Sequence, residues 1–280
     1  MYVSSKNMLE AARAGNYAVC AFNAENLEMV QAIIWGAEEM RAPVIIQTTP
    51  STLKYADCAY FSAIVRAAAE NSRIPAVMHL DHGNTFALVC RAVKAGYTSV
   101  MFDGSQEEFD ANAELTRKAI ELAHAVGIPV EAELGKVGGR EDDLEAECAY
   151  TDPVEAQTFV ERTRCDSLAI GIGTAHGVYK SMPELKLSVL TEIKKLVNVP
   201  LVLHGATGLS DDIIKECVTR GINKINFATE LRIAYTNAVR EKLSADASII
   251  DVKIYGEHAR NRVRELVKEK IKLSGSAGKI

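Results

Sequence analysis

Short apolar runs recur along the chain, and stretches of helical period separate them. Tyr17–Phe22, Pro43–Gln47, Pro75–Leu80, Ser99–Asp103, Pro129–Leu134, Ser167–Ile172, Pro200–Leu203 and Lys224–Phe227 read as strands. They are apolar throughout rather than alternating, as in a parallel sheet buried on both faces. Helical spacing covers residues 4–14, Asn23–Met40, Asp57–Asn71, Thr85–Ala95, Asp110–Val126, Pro153–Arg162, Pro183–Val197 and Ser210–Arg220. It also fills most of Thr229–Leu243 and Tyr255–Leu273, so that 251–273 reads as a C-terminal helical segment. Ser4 or Ser5 caps the first helix, and Gly96, Gly127 and Gly221 stop later ones. Eight βα units in 280 residues predict an α/β fold, the (β/α)8 barrel, as a single domain spanning 1–280. A doubly wound open sheet is the alternative. No Gly-x-Gly-x-x-Gly turn follows the first strand, which counts against it.

One polar stretch, Gly135 to Tyr150, breaks the alternation. It carries Gly138-Gly139 and the charged run Arg140 to Asp143, and it is long for a loop in a compact domain. A mobile active-site loop over 135–150 is the expectation. Composition narrows the partners. A net charge of −5 argues against a nucleic-acid surface. No apolar run approaches the ~18 residues of a membrane span. The first residues read as an amphipathic helix and not as a signal peptide. Six cysteines are scattered singly without a Cys-x-x-Cys pair, which suits reduced thiols in a cytoplasmic protein.

A barrel collects its chemistry at the C-terminal ends of its strands. Asp81 and His82 end strand three, Asp103 ends strand four, and Glu131 and Glu133 end strand five. His176 follows strand six, His204 ends strand seven, and Asn226 ends strand eight. Three imidazoles above one barrel mouth match a catalytic zinc site, in which three protein ligands leave a position open. The competing reading is three unrelated surface histidines. His124 and His258 lie on helices and read as non-ligands; His79 reads as support behind the ligands. Gly205-Ala-Thr-Gly208 and Asn226-Phe-Ala-Thr229 follow strands seven and eight, where barrels commonly bind phosphate through backbone N–H groups. Asp81 reads as a general acid/base or as a second layer behind the metal. Glu141 reads as a solvated carboxylate or as one that swings in from the loop.

Ala21-Phe-Asn23, His79-Leu-Asp-His82, Glu131-Ala-Glu-Leu-Gly135, Gly138-Gly-x-Glu-Asp142, Gly173-Thr-Ala-His-Gly177, Leu203-His-Gly-Ala206, Lys224-Ile-Asn226 and Ala228-Thr-Glu230 carry a resemblance. Along nearly its whole length the chain resembles the class II, metal-dependent fructose- and tagatose-bisphosphate aldolases. Its short length looks more like the tagatose-bisphosphate branch. The resemblance implies Zn²⁺ on His82, His176 and His204. It implies that Gly177, Gly205, Ala206 and Thr207, with Asn226, Phe227, Ala228 and Thr229, hold dihydroxyacetone phosphate. A monovalent cation, Na⁺ or K⁺, is expected beside that phosphate. Asp81 matches the proton donor to the aldehyde oxygen, and Glu141 the loop carboxylate that exchanges the carbon-bound proton. Asp103 and Glu133 match acids that hold the metal in an alternative position. Arg260 resembles an arginine contacting the distal phosphate. Thr207 stands where serine is commoner, and Arg140 where the longer enzymes carry another acid.

The expected reaction is reversible cleavage of a ketose 1,6-bisphosphate, tagatose or fructose type, to dihydroxyacetone phosphate and an aldehyde such as glyceraldehyde 3-phosphate. The alternative within the class is another ketose 1-phosphate or an acidic sugar phosphate. A Schiff-base mechanism on Lys224 would leave three histidines unexplained. Outside the class stand a barrel metallohydrolase and a non-catalytic sugar-phosphate-binding protein. The first commonly takes an early His-x-His from strand one, where this chain has Cys20-Ala-Phe-Asn23. A sugar phosphate is the expected partner, without nucleic acid or membrane, in a homodimer or homotetramer.

Overall fold

A computed structural model describes residues 1–141, 144–146, 149–177 and 183–280, with only the backbone described at 140, 141 and 144–146. Its strands are β1 (Val19–Asn23), β2 (Val44–Thr48), β3 (Ala76–Gly83), β4 (Ser99–Phe102), β5 (Val130–Leu134), β6 (Gly138–Glu141), β7 (Leu144–Ala146), β8 (Ser167–Ile170), β9 (Ala175–His176), β10 (Leu201–Leu203) and β11 (Ile222–Phe227). Its helices are α1 (Ser5–Gly15), α2 (Leu27–Glu39), α3 (Pro50–Tyr55), α4 (Cys58–Glu70), α5 (Phe86–Ala95), α6 (Phe109–His124), α7 (Pro153–Thr163), α8 (Leu187–Leu196), α9 (Asp211–Arg220), α10 (Thr229–Ala245) and α11 (Val252–Leu273). Eight parallel strands close into a barrel in the order β1-β11-β10-β8-β5-β4-β3-β2. The fold is the (β/α)8 barrel that the apolar runs predict.

Strand pleating explains why the runs are apolar on both faces. Cys20 and Phe22 on β1, Ile46 on β2 and Met78 and Leu80 on β3 join the core between barrel and helices. Val19, Ala21, Ile45 and Val77 face the barrel interior, where they pack with Met8, Leu9 and Ala12 of α1. Helix α1 thus closes the N-terminal end of the barrel. Toward the other end the inward positions turn polar: His79, Glu131 and Lys224, then Asn23, Gln47, Asp81, Glu133, His204 and Asn226, all buried.

Three features depart from the sequence reading. The polar stretch 135–150 holds strands β6 and β7, which form a second sheet with β9 in the order β7-β6-β9. Such short polar strands carry no apolar alternation, and β6 finds its parallel partner β9 far along the chain. Helix α3, too short to show a period, starts on Pro50. Strand β3 runs past Leu80 to Gly83 through an irregularity taken up below. The cysteines of the described residues are unpaired, and Cys148 lies outside them. No helix among the described residues is long and apolar enough to cross a membrane.

Candidate metal centre and active site

The site begins with one extra residue in β3. Leu80 pairs with Val100, but Gly83 pairs with Phe102, so three steps on β3 match two on β4. This is a β-bulge. Simple alternation would turn His82 outward, after inward-facing His79 and Asp81. The bulge gives His82 a φ of 49° and turns its ring back over the barrel mouth. There its Nδ1 bonds Asp103 Oδ2 at 2.7 Å. Its ring centroid lies 5.0 Å from that of His176 and 4.7 Å from that of His204. His82, His176 and His204 each offer one ligand atom within 4.8 Å of the others, and His82, Asp103 and Glu133 do the same. His204 Nδ1 and Glu133 Oε2 lie 3.1 Å apart, and neither has a hydrogen-bond partner among the described residues. Buried polar atoms left in this way are costly. Imidazole nitrogens and carboxylate oxygens are zinc donors, so this donor set fits the metal that the sequence implies.

Asp81 lies beneath, in a cage of amides. Asn23 Nδ2 and Gln47 Nε2 each donate to its Oδ2 at 3.0 Å, and Asn226 Nδ2 donates to its Oδ1 at 3.0 Å. Gln47 Nε2 also reaches Asn23 Oδ1 at 2.8 Å, which ties the cage together. Burial pushes the Asp81 carboxyl up, but the charges of His82, His204 and Lys224 bring it below its ordinary value. Burial works against the charge on His82 too, yet Asp81 and Asp103 hold its pKa well above the usual value. For His204, the Glu131 carboxylate bonded to its Nε2 and the Glu133 carboxylate beside its Nδ1 overcome burial and raise the pKa to about 9. His176, buried beside these two imidazoles, is pushed well below its usual value. The pocket therefore concentrates negative charge around its histidines, and a divalent cation would compete with protons for it.

Two hollows meet at this centre. A narrow one is lined by Asn23, Asp81 and Asn226, by Gly177, and by the loops at Gly205 and Thr207 and at Ala228 and Thr229. Gly205 has a φ of 67°, and a Cβ there would lie 2.6 Å from Ala175 O, so only glycine lets this loop lie against β9. Ala206 and Phe227 turn their side chains into the core and do not line the hollow. The second hollow is a cleft of about 530 Å³ running from Asp103 and Glu133 between α3 and α5, past Lys54, Thr85, Leu88 and Arg91. His82 and His176 line both hollows.

Glu141 ends β6, but its side chain lies outside the described residues. Gly138 and Gly139 pair with Ala175 and His176, which ties the strand carrying Glu141 to a candidate metal ligand. Arg260 lies apart from this centre within the chain. Its Nη1 donates to Gln31 Oε1 at 2.7 Å, and its guanidinium lies 4.6 Å from the Trp35 ring centroid. Helix α11 packs against α2 outside the barrel, so within the chain Arg260 lines neither hollow. Sequence reasoning missed Gln47 and the carboxamide roles of Asn23 and Asn226 toward Asp81. A signal existed: Gln47 is a polar residue at a strand end, like the histidines.

The model of the class II fructose-bisphosphate aldolases matches residues 3–279. The chain belongs to that family. It is an aldolase, a carbon–carbon lyase, built on the barrel described above. It is similar to the YdjI aldolase of Escherichia coli K12, with 39% identity over 100% of this chain and 99% of that one and a TM-score of 0.90. It also resembles a protein of Coccidioides immitis described as a candidate fructose-1,6-bisphosphate aldolase. There the identity is 31%, the coverage 98% of this chain and 96% of the other, and the TM-score 0.91.

Proposed function

We propose that this aldolase is zinc-dependent and reversibly cleaves a ketose 1,6-bisphosphate, of tagatose or fructose type, to dihydroxyacetone phosphate and an aldehyde such as glyceraldehyde 3-phosphate. The observation that carries the reading is the convergence of His82, His176 and His204 between two hollows. A substrate cleaved in its middle needs one hollow for each half. His82, His176 and His204 would hold Zn²⁺, with Asp103 and Glu133 as an alternative position beside His82. Bound there, the ion would act as a Lewis acid that stabilises the negative charge left by aldol cleavage.

The chain's own groups do the rest. Backbone N–H groups of Gly177, of Gly205 to Thr207 and of Asn226 to Thr229 hold the phosphate of the dihydroxyacetone half, and Thr207 and Thr229 add hydroxyls. A Na⁺ or K⁺ ion beside the phosphate belongs to this reading. Asp81, kept ionised by the charges of His82, His204 and Lys224 and oriented by its amide cage, takes the C4 hydroxyl proton in cleavage and returns it to the aldehyde oxygen in synthesis. Glu141 moves the proton at the carbon, and the segment 135–150 covers the mouth while it does so. A cytoplasmic homodimer or homotetramer completes the reading.

The placement of Arg260 outside both hollows favours a second reading of the substrate: another ketose 1-phosphate or an acidic sugar phosphate, whose far end enters the cleft past Lys54 and Arg91. A coupled assay over ketose 1-phosphates and 1,6-bisphosphates decides between the two. Chelation should abolish turnover and Zn²⁺ restore it. Full turnover in excess chelator, with borohydride trapping substrate on Lys224, overturns the zinc mechanism.

A further inference from the structure

Beneath the candidate metal ligands the barrel contains a buried ion pair that the proposed chemistry does not use. Glu131 on β5 and Lys224 on β11 reach each other across the interior, although β8 and β10 separate their strands. Lys224 Nζ lies 2.8 Å from Glu131 Oε2 and 3.0 Å from Oε1. Lys224 is 0% exposed and Glu131 2%. Taking two charges out of water is expensive, and well-packed apolar residues often serve stability as well or better. The pair therefore calls for a role beyond holding the barrel together.

Its surroundings supply one. Glu131 Oε1 accepts from His204 Nε2 at 3.0 Å. The other ring nitrogen, Nδ1, is left beside Glu133 with no hydrogen-bond partner among the described residues. His82 has the same arrangement with a different acid, its Nδ1 bonded to Asp103. His79 closes the layer from the side, with Nδ1 2.8 Å from Ser99 Oγ and Nε2 3.8 Å from Glu131 Oε2. Lys224 holds the carboxylate, and the carboxylate holds the imidazole.

We propose that Glu131, clamped by Lys224, is a positioning residue of the metal centre: it fixes the His204 ring so that Nε2–H points into the barrel and Nδ1 is presented to the metal. This inference rests on the zinc reading above. A ring free to turn over would offer either nitrogen and would lose orientational freedom on binding. A ring already bonded to a fixed carboxylate has lost it, and the carboxylate also makes the opposite nitrogen a better donor. Lys224, engaged from within, is a clamp and not a Schiff-base nucleophile.

The test compares zinc-loaded wild-type protein with Glu131→Gln and with the double variant Glu131→Gln/Lys224→Met in competition against a chromophoric chelator. The double variant removes both charges, so no lone buried charge unfolds it. Zinc affinity should fall by about 10–100-fold in both variants, while the thermal midpoint of the metal-free double variant stays near that of metal-free wild type. The visible spectrum of the Co²⁺-substituted protein should change with them. Undiminished zinc affinity in both variants, with a normal wild type, overturns the positioning role and leaves the zinc reading standing. A wild type that binds no zinc overturns both. A second measurement needs no variant. In zinc-loaded protein labelled with ¹⁵N-histidine, His204 should carry its proton on Nε2. A proton on Nδ1 would overturn the inference.

Discussion

Four non-glycine residues among those described have positive φ, and three of them, Asn16, Arg41 and Arg164, follow helices α1, α2 and α7. His82 alone lies inside a strand. A left-handed residue there costs about 1–3 kcal/mol, and such strain gathers where function needs a side chain re-aimed. The histidines, Asp81 and the glycine-threonine loops were legible because a buried strand does not otherwise end in polar groups. The bulge was not legible, since no residue type announces it. Nor was the amide cage, which joins β1, β2 and β11 to β3. Two outcomes belong at this scale. Glu141→Ala should lower both cleavage and proton exchange on dihydroxyacetone phosphate by about 10²–10⁴-fold with zinc content unchanged. A loss under threefold in steady-state assays returns Glu141 to a solvated loop. The second outcome concerns acid. Burial and the Lys224 charge push the His79 pKa down to about 3. The folded protein therefore keeps His79 neutral while the unfolded chain protonates it below its ordinary value of 6.5. Stability that is fully present above about pH 6.5 is lost as the pH falls, with a slope nearing 1.4 kcal/mol per unit. His176, shifted the same way, adds to it. Denaturant titrations from pH 6.5 to 5 should show this decline in metal-free wild type and a shallower one in His79→Gln.

At the scale of elements, the sequence showed where strands and helices alternate but not the sheet β7-β6-β9. Its strands are short and polar, and the pairing of β6 with β9 crosses α7 and β8 in sequence. That sheet binds the segment carrying Glu141 to the backbone of His176. Gly139, with a φ of 83°, is where they meet: a Cβ there would collide with the His176 carbonyl oxygen and lie 3.0 Å from its nitrogen. Gly139→Ala should therefore strain the contact by about 1–3 kcal/mol. Zinc affinity should weaken by roughly tenfold or more if that strain reaches the ligand. The barrel, whose core does not include Gly139, should melt as before in metal-free form. Calorimetry of zinc binding beside thermal melts separates the two effects, and unaltered zinc affinity would mean that β6 and the metal centre are uncoupled.

For the molecule as a whole, eight apolar runs sufficed to read a closed barrel, because strands covered on both faces have few other homes. Side chains on the outer helices, Arg260 among them, are harder to read. A basic residue on a helix can face a site or a neighbouring helix, and spacing alone does not say which. Here it stacks on Trp35 of α2. Arg260→Ala should remove that contact and the bond to Gln31, at a cost of about 1–2 kcal/mol in stability. KM for charged and for neutral aldehydes should stay within about twofold of wild type; a selective rise for the charged one would return Arg260 to the substrate. Finally, the two hollows that meet at His82 and His176 are drawn from different stretches of the chain. The cleft takes most of its wall from residues 50–106, the narrow hollow most of its own from 176–229. Inheritance can treat them separately. On the proposed reading, mutations confined to cleft positions such as Lys54, Leu88 and Arg91, which spare Asp81, His82 and Asp103, would alter which aldehyde is accepted while bond-making is passed on intact, and a gene copy freed by duplication would need only that drift to acquire a new sugar.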